Sequence, residues 1–173
     1  MKKRCIMIFP KFSNMEIIDA IRQKYDPLAN HVAPHITLVF PFESDLDTES
    51  LQKHLQEVCK EFKKFKLELG EIGRGEGYGY YLFLNVIEGK EMIVNLHNML
   101  YGGVLKAYYP IWLNGNYTPH MTIGNFGSEE ELEMALKETK NIDVKFTTIV
   151  ECVSVEIIDE NEDSIIEIEH SLI

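Results

Sequence analysis

Apolar and polar positions along the chain follow two different periods, and the switches between them outline an α+β protein. Cys5 to Phe9 is an unbroken apolar run, read as a first strand over residues 4–9. From Asn14 to Tyr25 the spacing of Ile17, Ile18, Ile21 and Tyr25 is helical; Ser13 with Glu16 is a capping-box signature, and Pro27 closes the helix. An extended segment over about 35–42 follows, then a helix over about 48–62 with the stripe Leu51, Leu55, Val58, Cys59 and Phe62. Strands over about 65–72 and 79–87 meet around Gly73, Gly75, Gly77 and Gly79, where glycine permits turns closed to other residues. The second half repeats this grammar. A helix near 90–101 carries Ile93, Leu96, His97 and Leu100, a strand follows, and Ser128 with Glu131 opens another helix. Strands near 144–158 and 163–169 close the chain, with polar Asp159 to Asp163 as their turn.

Two of the extended segments are near copies: Pro34-His35-Ile36-Thr37-Leu38 and, 85 residues later, Pro119-His120-Met121-Thr122-Ile123. In a strand, the histidine and threonine of each copy point to one face and the apolar residues to the other. If the two strands lie side by side, the cleft between them holds two imidazoles and two hydroxyls, while Ile36, Leu38, Met121 and Ile123 pack beneath helices. That set suits a phosphodiester or cyclic phosphate. A neutral imidazole can take a proton from a nucleophile, a protonated one can give a proton to the leaving oxygen, and hydroxyls can donate to phosphoryl oxygens. The matched motifs in matching contexts point to an internal duplication: one domain over 1–173, made of two pseudo-repeat lobes.

Composition narrows the ligand. The chain has 173 residues, 45% of them hydrophobic, enough for one substantial core. Lysine plus arginine total 17 against 28 acidic residues, a net charge of −11, which opposes binding to long duplex nucleic acid and leaves a small nucleotide or an RNA end. The apolar stretch after Met1-Lys2-Lys3-Arg4 is too short for a signal peptide and ends at Pro10 and Lys11. No run approaches the ~20 apolar residues of a membrane span, so a cytoplasmic protein without a membrane partner is expected. Cys5, Cys59 and Cys152 have no CxxC spacing and read as buried thiols.

The paired His-x-Thr-x tetrapeptides, each preceded by proline, resemble the signature of the two-histidine (2H) phosphoesterase superfamily, whose bacterial branch is known as RNA 2′,5′-ligase-like. The resemblance extends over most of the chain. It implies a bilobal, pseudo-symmetric fold, with two antiparallel sheets facing a central cleft and helices outside, and chemistry that needs no metal or other cofactor. It also implies cyclic phosphodiesterase or RNA-end activity, hydrolytic or in reverse. His35 and His120 would be the acid–base pair, with the order of roles open, and Thr37 and Thr122 would bind the phosphoryl group. A module that binds a nucleotide or RNA end without turnover is the alternative on the same scaffold.

Other residues carry weaker signals. His31 and His35 have a helical metal-ligand offset, but Pro34 opposes a helix there, and His54, His97 and His170 show no partner in the sequence. No carboxylate stands at a recognisable ligand spacing from either motif, so no metal site is expected. Gly73-Arg74-Gly75-Glu76-Gly77 reads as a hairpin tip, with a phosphate-contacting flap led by Arg74 as the other reading. Of the aromatics that could stack on a base, Tyr78, Tyr80, Tyr81, Trp112 and Tyr117, the best placed is Tyr117, just upstream of His120.

Overall fold

The computed structural model describes residues 1–75 and 79–173. The chain runs through β1 (Lys2–Ile8), α1 (Met15–Tyr25), β2 (Ile36–Ser44), α2 (Thr48–Cys59), β3 (Phe65–Arg74) and β4 (Tyr80–Glu88). It continues through α3 (Lys90–Leu100), β5 (His120–Phe126), α4 (Glu129–Thr139), β6 (Phe146–Val150), β7 (Cys152–Ile158) and β8 (Ser164–Ser171). Two four-stranded sheets result, in spatial order β2-β1-β7-β8 and β5-β4-β3-β6. Every neighbouring pair with a resolved register is antiparallel.

The halves of the sequence are not the halves of the structure. The repeated unit is strand, helix, motif strand, helix, strand, and its third strand crosses over: β3 leaves the first motif to pair with β4, while β7 returns to pair with β1. Helices cross too, since α1 packs on β5 and α3 on β2. One buried cluster therefore runs through both sheets, from Ile6, Ile36 and Leu55 to Leu67, Met121 and Leu132. The segment expected as one strand over 144–158 is two strands in different sheets, parted at exposed Glu151. Its apolar residues are continuous enough to read as one run; only the crossover between sheets requires the break.

Capping follows the sequence at one helix and departs at another. The Ser128 hydroxyl accepts from the Glu131 N–H at 3.3 Å, and the Glu131 carboxylate accepts from the Gly127 N–H at 2.9 Å, so α4 begins where expected. At α1 the N-cap is Asn14, with no side-chain cap bond, and the Ser13–Glu16 box does not form. α2 begins instead with Asp47, whose carboxylate accepts from the Ser50 N–H at 2.7 Å, and it ends at Cys59, short of Phe62.

Both motif strands lie at sheet edges, and there the alternation fixes their orientation. Ile36, Leu38, Met121 and Ile123 are fully buried, whereas His35, Thr37, His120 and Thr122 are half-buried. Each buried apolar side chain is worth about 1.5–3 kcal/mol, so a one-residue slip that exposed them and buried the histidines would forfeit several kcal/mol.

Candidate active site

The edge strands β2 and β5, which carry the two motifs, approach one another. A charge on His120 lowers the proton affinity of His35. Each imidazole is oriented in the same way. His35 Nδ1 lies 2.9 Å from the Ala33 carbonyl, and His120 Nδ1 lies 2.8 Å from the Thr118 carbonyl. A carbonyl only accepts, so Nδ1 carries a hydrogen in both protonation states and Nε2 is left to exchange the working proton. Pro34 and Pro119 stand between each histidine and its carbonyl. Proline holds the preceding residue extended and brings no N–H to compete for that carbonyl, which explains its place in both copies.

The surroundings of the two imidazoles differ. His120 lies flat on Phe83, ring centroids 3.6 Å apart and planes 14° from parallel. Phe83 pairs with Thr122 and Asn85 with His120 in the β4–β5 ladder, so these four share one face. Beneath Phe83 lies Gly75, where a Cβ would come within 2.7 Å of the ring. Among the described residues His35 has only a tilted aromatic neighbour, Phe9 at 6.0 Å, and the charge of buried Arg22 acts on it. The Arg22 guanidinium donates to Asp26 at 2.8 Å, to the Val32 carbonyl at 2.9 Å and to the Leu28 carbonyl at 3.3 Å. It thus binds the loop that leads into the first motif. Burial lowers the proton affinity of both histidines, with the Ala33 and Thr118 carbonyls opposing it; at His35 the Arg22 charge lowers it further, and Asp26 acts in the opposite sense.

Sheet face and chemistry continue below Thr37. Cys5 lies against its hydroxyl and donates to the Val39 carbonyl at 3.0 Å. Glu156, opposite Cys5 in the β1–β7 ladder, is buried and accepts from the Ser164 hydroxyl. Burial pushes both the Cys5 thiol and the Glu156 carboxyl up. Cys5 and Cys59 are buried as expected, while Cys152 is half-buried.

Tyr117 links the two motifs. Its ring lies parallel to the buried His97 ring at 3.7 Å, and its hydroxyl donates to the Thr37 carbonyl at 2.6 Å. With one face covered and its hydroxyl engaged, it braces the first motif from the segment that leads into the second. His97, without a partner in the sequence, proves central: its Nδ1 is 2.7 Å from the Leu38 carbonyl. The Tyr101 hydroxyl accepts from the Phe40 N–H at 2.9 Å. Three side chains thereby satisfy backbone groups that an edge strand with a register shift would leave unpaired.

Arg74 does not reach the cleft. It donates to Glu129 at 2.9 Å and also pairs with Glu133, both on α4, which removes the flap reading for this residue. Glu76, Gly77 and Tyr78 lie outside the described residues. Tyr80 is exposed, Tyr81 stacks beside Phe83 at 5.9 Å, and Trp112 packs edge-on to Phe40 at 4.9 Å. His31 is 2.8 Å from Asp163, and His54 Nε2 is 2.8 Å from the Leu100 carbonyl. Among the described residues no group of three or more His, Cys, Asp or Glu side chains is placed to hold a metal ion, and no helix is long and apolar enough to cross a membrane. Phe83 and Arg22 were missed in the sequence. Phe83 could have been found from its alternation with Leu82 and Leu84, which turns it to the face opposite the core.

The family model of the 2′-5′ RNA ligase superfamily matches residues 10–162, a span that contains both motifs. The chain belongs to this superfamily, the two-histidine phosphoesterases. A Bacillus licheniformis protein named "Putative phosphoesterase" is 28% identical over 149 residues, 84% of each chain. Among solved structures, Escherichia coli LigT in apo form superposes with a TM-score of 0.63 at 17% identity, over 99% of this chain and 97% of that one. LigT complexed with 3′-AMP gives 0.61 over the same shares, also at 17% identity. These structural likenesses establish the fold: α+β, two antiparallel sheets with helices outside.

Proposed function

We propose that this phosphoesterase opens the 2′,3′-cyclic phosphate of a small nucleotide or RNA end, or cleaves a 2′,5′ linkage, without a metal ion. One observation supports the reading: two imidazoles, on neighbouring edge strands, each have Nδ1 held by a backbone carbonyl, which leaves Nε2 for the working proton, and each is followed two residues on by a half-buried threonine. Water attacks phosphorus in line. One histidine accepts a water proton, and the other donates a proton to the departing ribose oxygen. The threonine hydroxyls donate to the phosphoryl oxygens as charge develops there. A net charge of −11 favours a ligand with few phosphates over a long polyanion.

The test is product analysis. Purified protein is incubated with 2′,3′-cyclic AMP, GMP, CMP and UMP, with RNA ending in a cyclic phosphate and with a 2′,5′-linked dinucleotide, each with and without EDTA. Chromatography is expected to resolve nucleoside monophosphate or opened RNA ends in both conditions. Binding of these compounds with no product would establish the non-catalytic module instead, and turnover that EDTA abolishes and Zn²⁺ or Mn²⁺ restores would establish a metal mechanism.

A further inference from the structure

Within that reading, the part of the ligand that carries its identity is the nucleoside, and one polar side chain beside the second motif is set to meet it. Glu71 stands in β3 with φ 57°, in the left-handed region. Of the other non-glycine residues with positive φ, Asn114 closes a short 3-10 turn and Glu162 lies between β7 and β8; among the described residues Glu71 alone lies within a strand. It is the extra residue of a bulge, since Gly70 pairs with Asn85 and Ile72 with Leu84. Glycine suits such a position, and glutamate there is strained. The Glu71 carbonyl faces Asn85, whose Nδ2 donates to it at 2.8 Å. Gly73 brings no side chain beside this amide; a Cβ there would lie 3.5 Å from Nδ2.

A carbonyl only accepts, so it fixes the amide nitrogen on the β3 side and turns Oδ1 away from β3. On the other side of Asn85 stands β5, where its ladder partner is His120. Side chains paired in this way share one face, with Cβ atoms about 4.5–5.5 Å apart. Asn85 is half-buried, so the amide is held in place and still open to a ligand. The aromatic neighbour of His35, Phe9, offers no such hydrogen bond. We propose that Asn85 is a specificity-determining residue of this site: its Oδ1, oriented by the Glu71 carbonyl and set beside His120, accepts a hydrogen bond from a ribose hydroxyl or a base N–H of the substrate. The phosphodiester itself offers only acceptors, so a ligand donor for Oδ1 comes from the nucleoside. What the strained backbone at Glu71 secures is the orientation of this amide.

Paired substrates test this in the full-length protein. A 2′,5′-linked diadenylate is compared with its analogue lacking the 3′-hydroxyl beside the linkage. Likewise 2′,3′-cyclic AMP is compared with the cyclic phosphate of purine riboside, which lacks the 6-amino group. The wild type is expected to favour the parent in at least one pair by about 10-fold or more in kcat/KM. A preference in the first pair identifies a ribose donor and one in the second a base donor. In Asn85→Leu that ratio should fall toward one, and Asn85→Ala repeats the measurement if the leucine variant does not fold. A preference in neither pair overturns the proposal. So does a loss in the variants that is equal for parent and analogue, which is what a structural role, or a hold on the attacking water, would give. Turnover of none of the four phosphodiesters would instead overturn the functional reading, and the role of Asn85 with it.

Discussion

The Tyr117 hydroxyl donates a 2.6 Å hydrogen bond to the Thr37 carbonyl, tying the approach to the second motif to the backbone of the first. Tyr117→Phe keeps the ring on His97 and removes only this bond. The expected cost is about 0.5–1.5 kcal/mol of unfolding free energy, measured by urea denaturation. kcat should fall while KM is held, because the loss loosens the register of the motifs and takes away no ligand contact. Tyr117→Leu also removes the stack and should cost more on both measures. If Phe is silent in kcat and Leu raises KM alone, the ring serves as a platform for the base and the brace is incidental.

The pH–rate profile follows from the state of the pair. One neutral and one protonated imidazole are required, so kcat/KM is expected to be bell-shaped, with apparent values that belong to the pair. Burial lowers both groups, which places the bell below the unperturbed histidine value of ~6.5. Bound anionic phosphate favours the protonated forms, so the kcat bell should stand at higher pH than that for kcat/KM. A kcat/KM bell centred well above ~6.5 would contradict the desolvation argument.

The same shifts bear on stability, and the sign is opposite to that of a salt-bridged histidine. His35, His97 and His120 are all lowered on folding, chiefly by burial, so between the folded and unfolded values the unfolded chain binds more protons. Stability should therefore fall as pH drops through ~6.5 toward the folded values. His97→Gln should flatten part of that slope in a series of urea melts. It would also disturb the Leu38 contact, so the slope and not the midpoint is the diagnostic.

A second acid-sensitive element lies on the far side of the first sheet. Glu167 accepts from Arg4 at 2.6 and 3.0 Å, from Thr48 at 2.7 Å and from Lys2 at 2.9 Å. The Arg4 guanidinium is foremost among the groups that hold its carboxyl down at about 2. Arg4 is 1% exposed, so Glu167→Gln strands a buried cation and should cost about 3–5 kcal/mol at neutral pH. The folded value lies below the unfolded one of ~4.3, so this contribution is present above that value and lost as pH falls toward the folded one. The difference between wild type and variant should shrink over that window; a constant difference would show that packing, not charge, accounts for the loss.

How legible these features were depends on the range of the interactions that set them. Alternation within each motif placed His35, Thr37, His120 and Thr122 on one face, because pleat and burial are local. The strand exchange was hidden, since nothing within β3 or β7 records which sheet it joins; that is decided by pairing across the whole chain. Tyr117 was noticed for its nearness to His120 in sequence, but its partner Thr37 is 80 residues away. His97 looked like one more apolar-face residue of a helix, and only the unpaired Leu38 carbonyl of an edge strand gives it work. The glycines were read as a turn signal, yet at Gly75 the requirement comes from a ring on the neighbouring strand.

That last contact yields the most exacting test. A Cβ at Gly75 would lie 2.7 Å from Phe83 Cζ and 2.8 Å from Tyr81 Cβ, closer than such atoms come without movement. In Gly75→Ala the Phe83 ring must tilt or lift, and His120, stacked 3.6 Å above it, must follow. A displacement near 1 Å at a reacting group can cost about 100-fold, so kcat is expected to fall by roughly 10–100-fold while the circular dichroism spectrum is kept. The double variant Gly75→Ala/Phe83→Leu separates strain from support. Removing the ring should recover the thermal stability lost in the single variant, because the clash is gone. Turnover should stay low, because His120 has lost the surface that holds it. Recovery of both together would mean that Phe83 only fills space and that His120 is held by the Thr118 carbonyl alone.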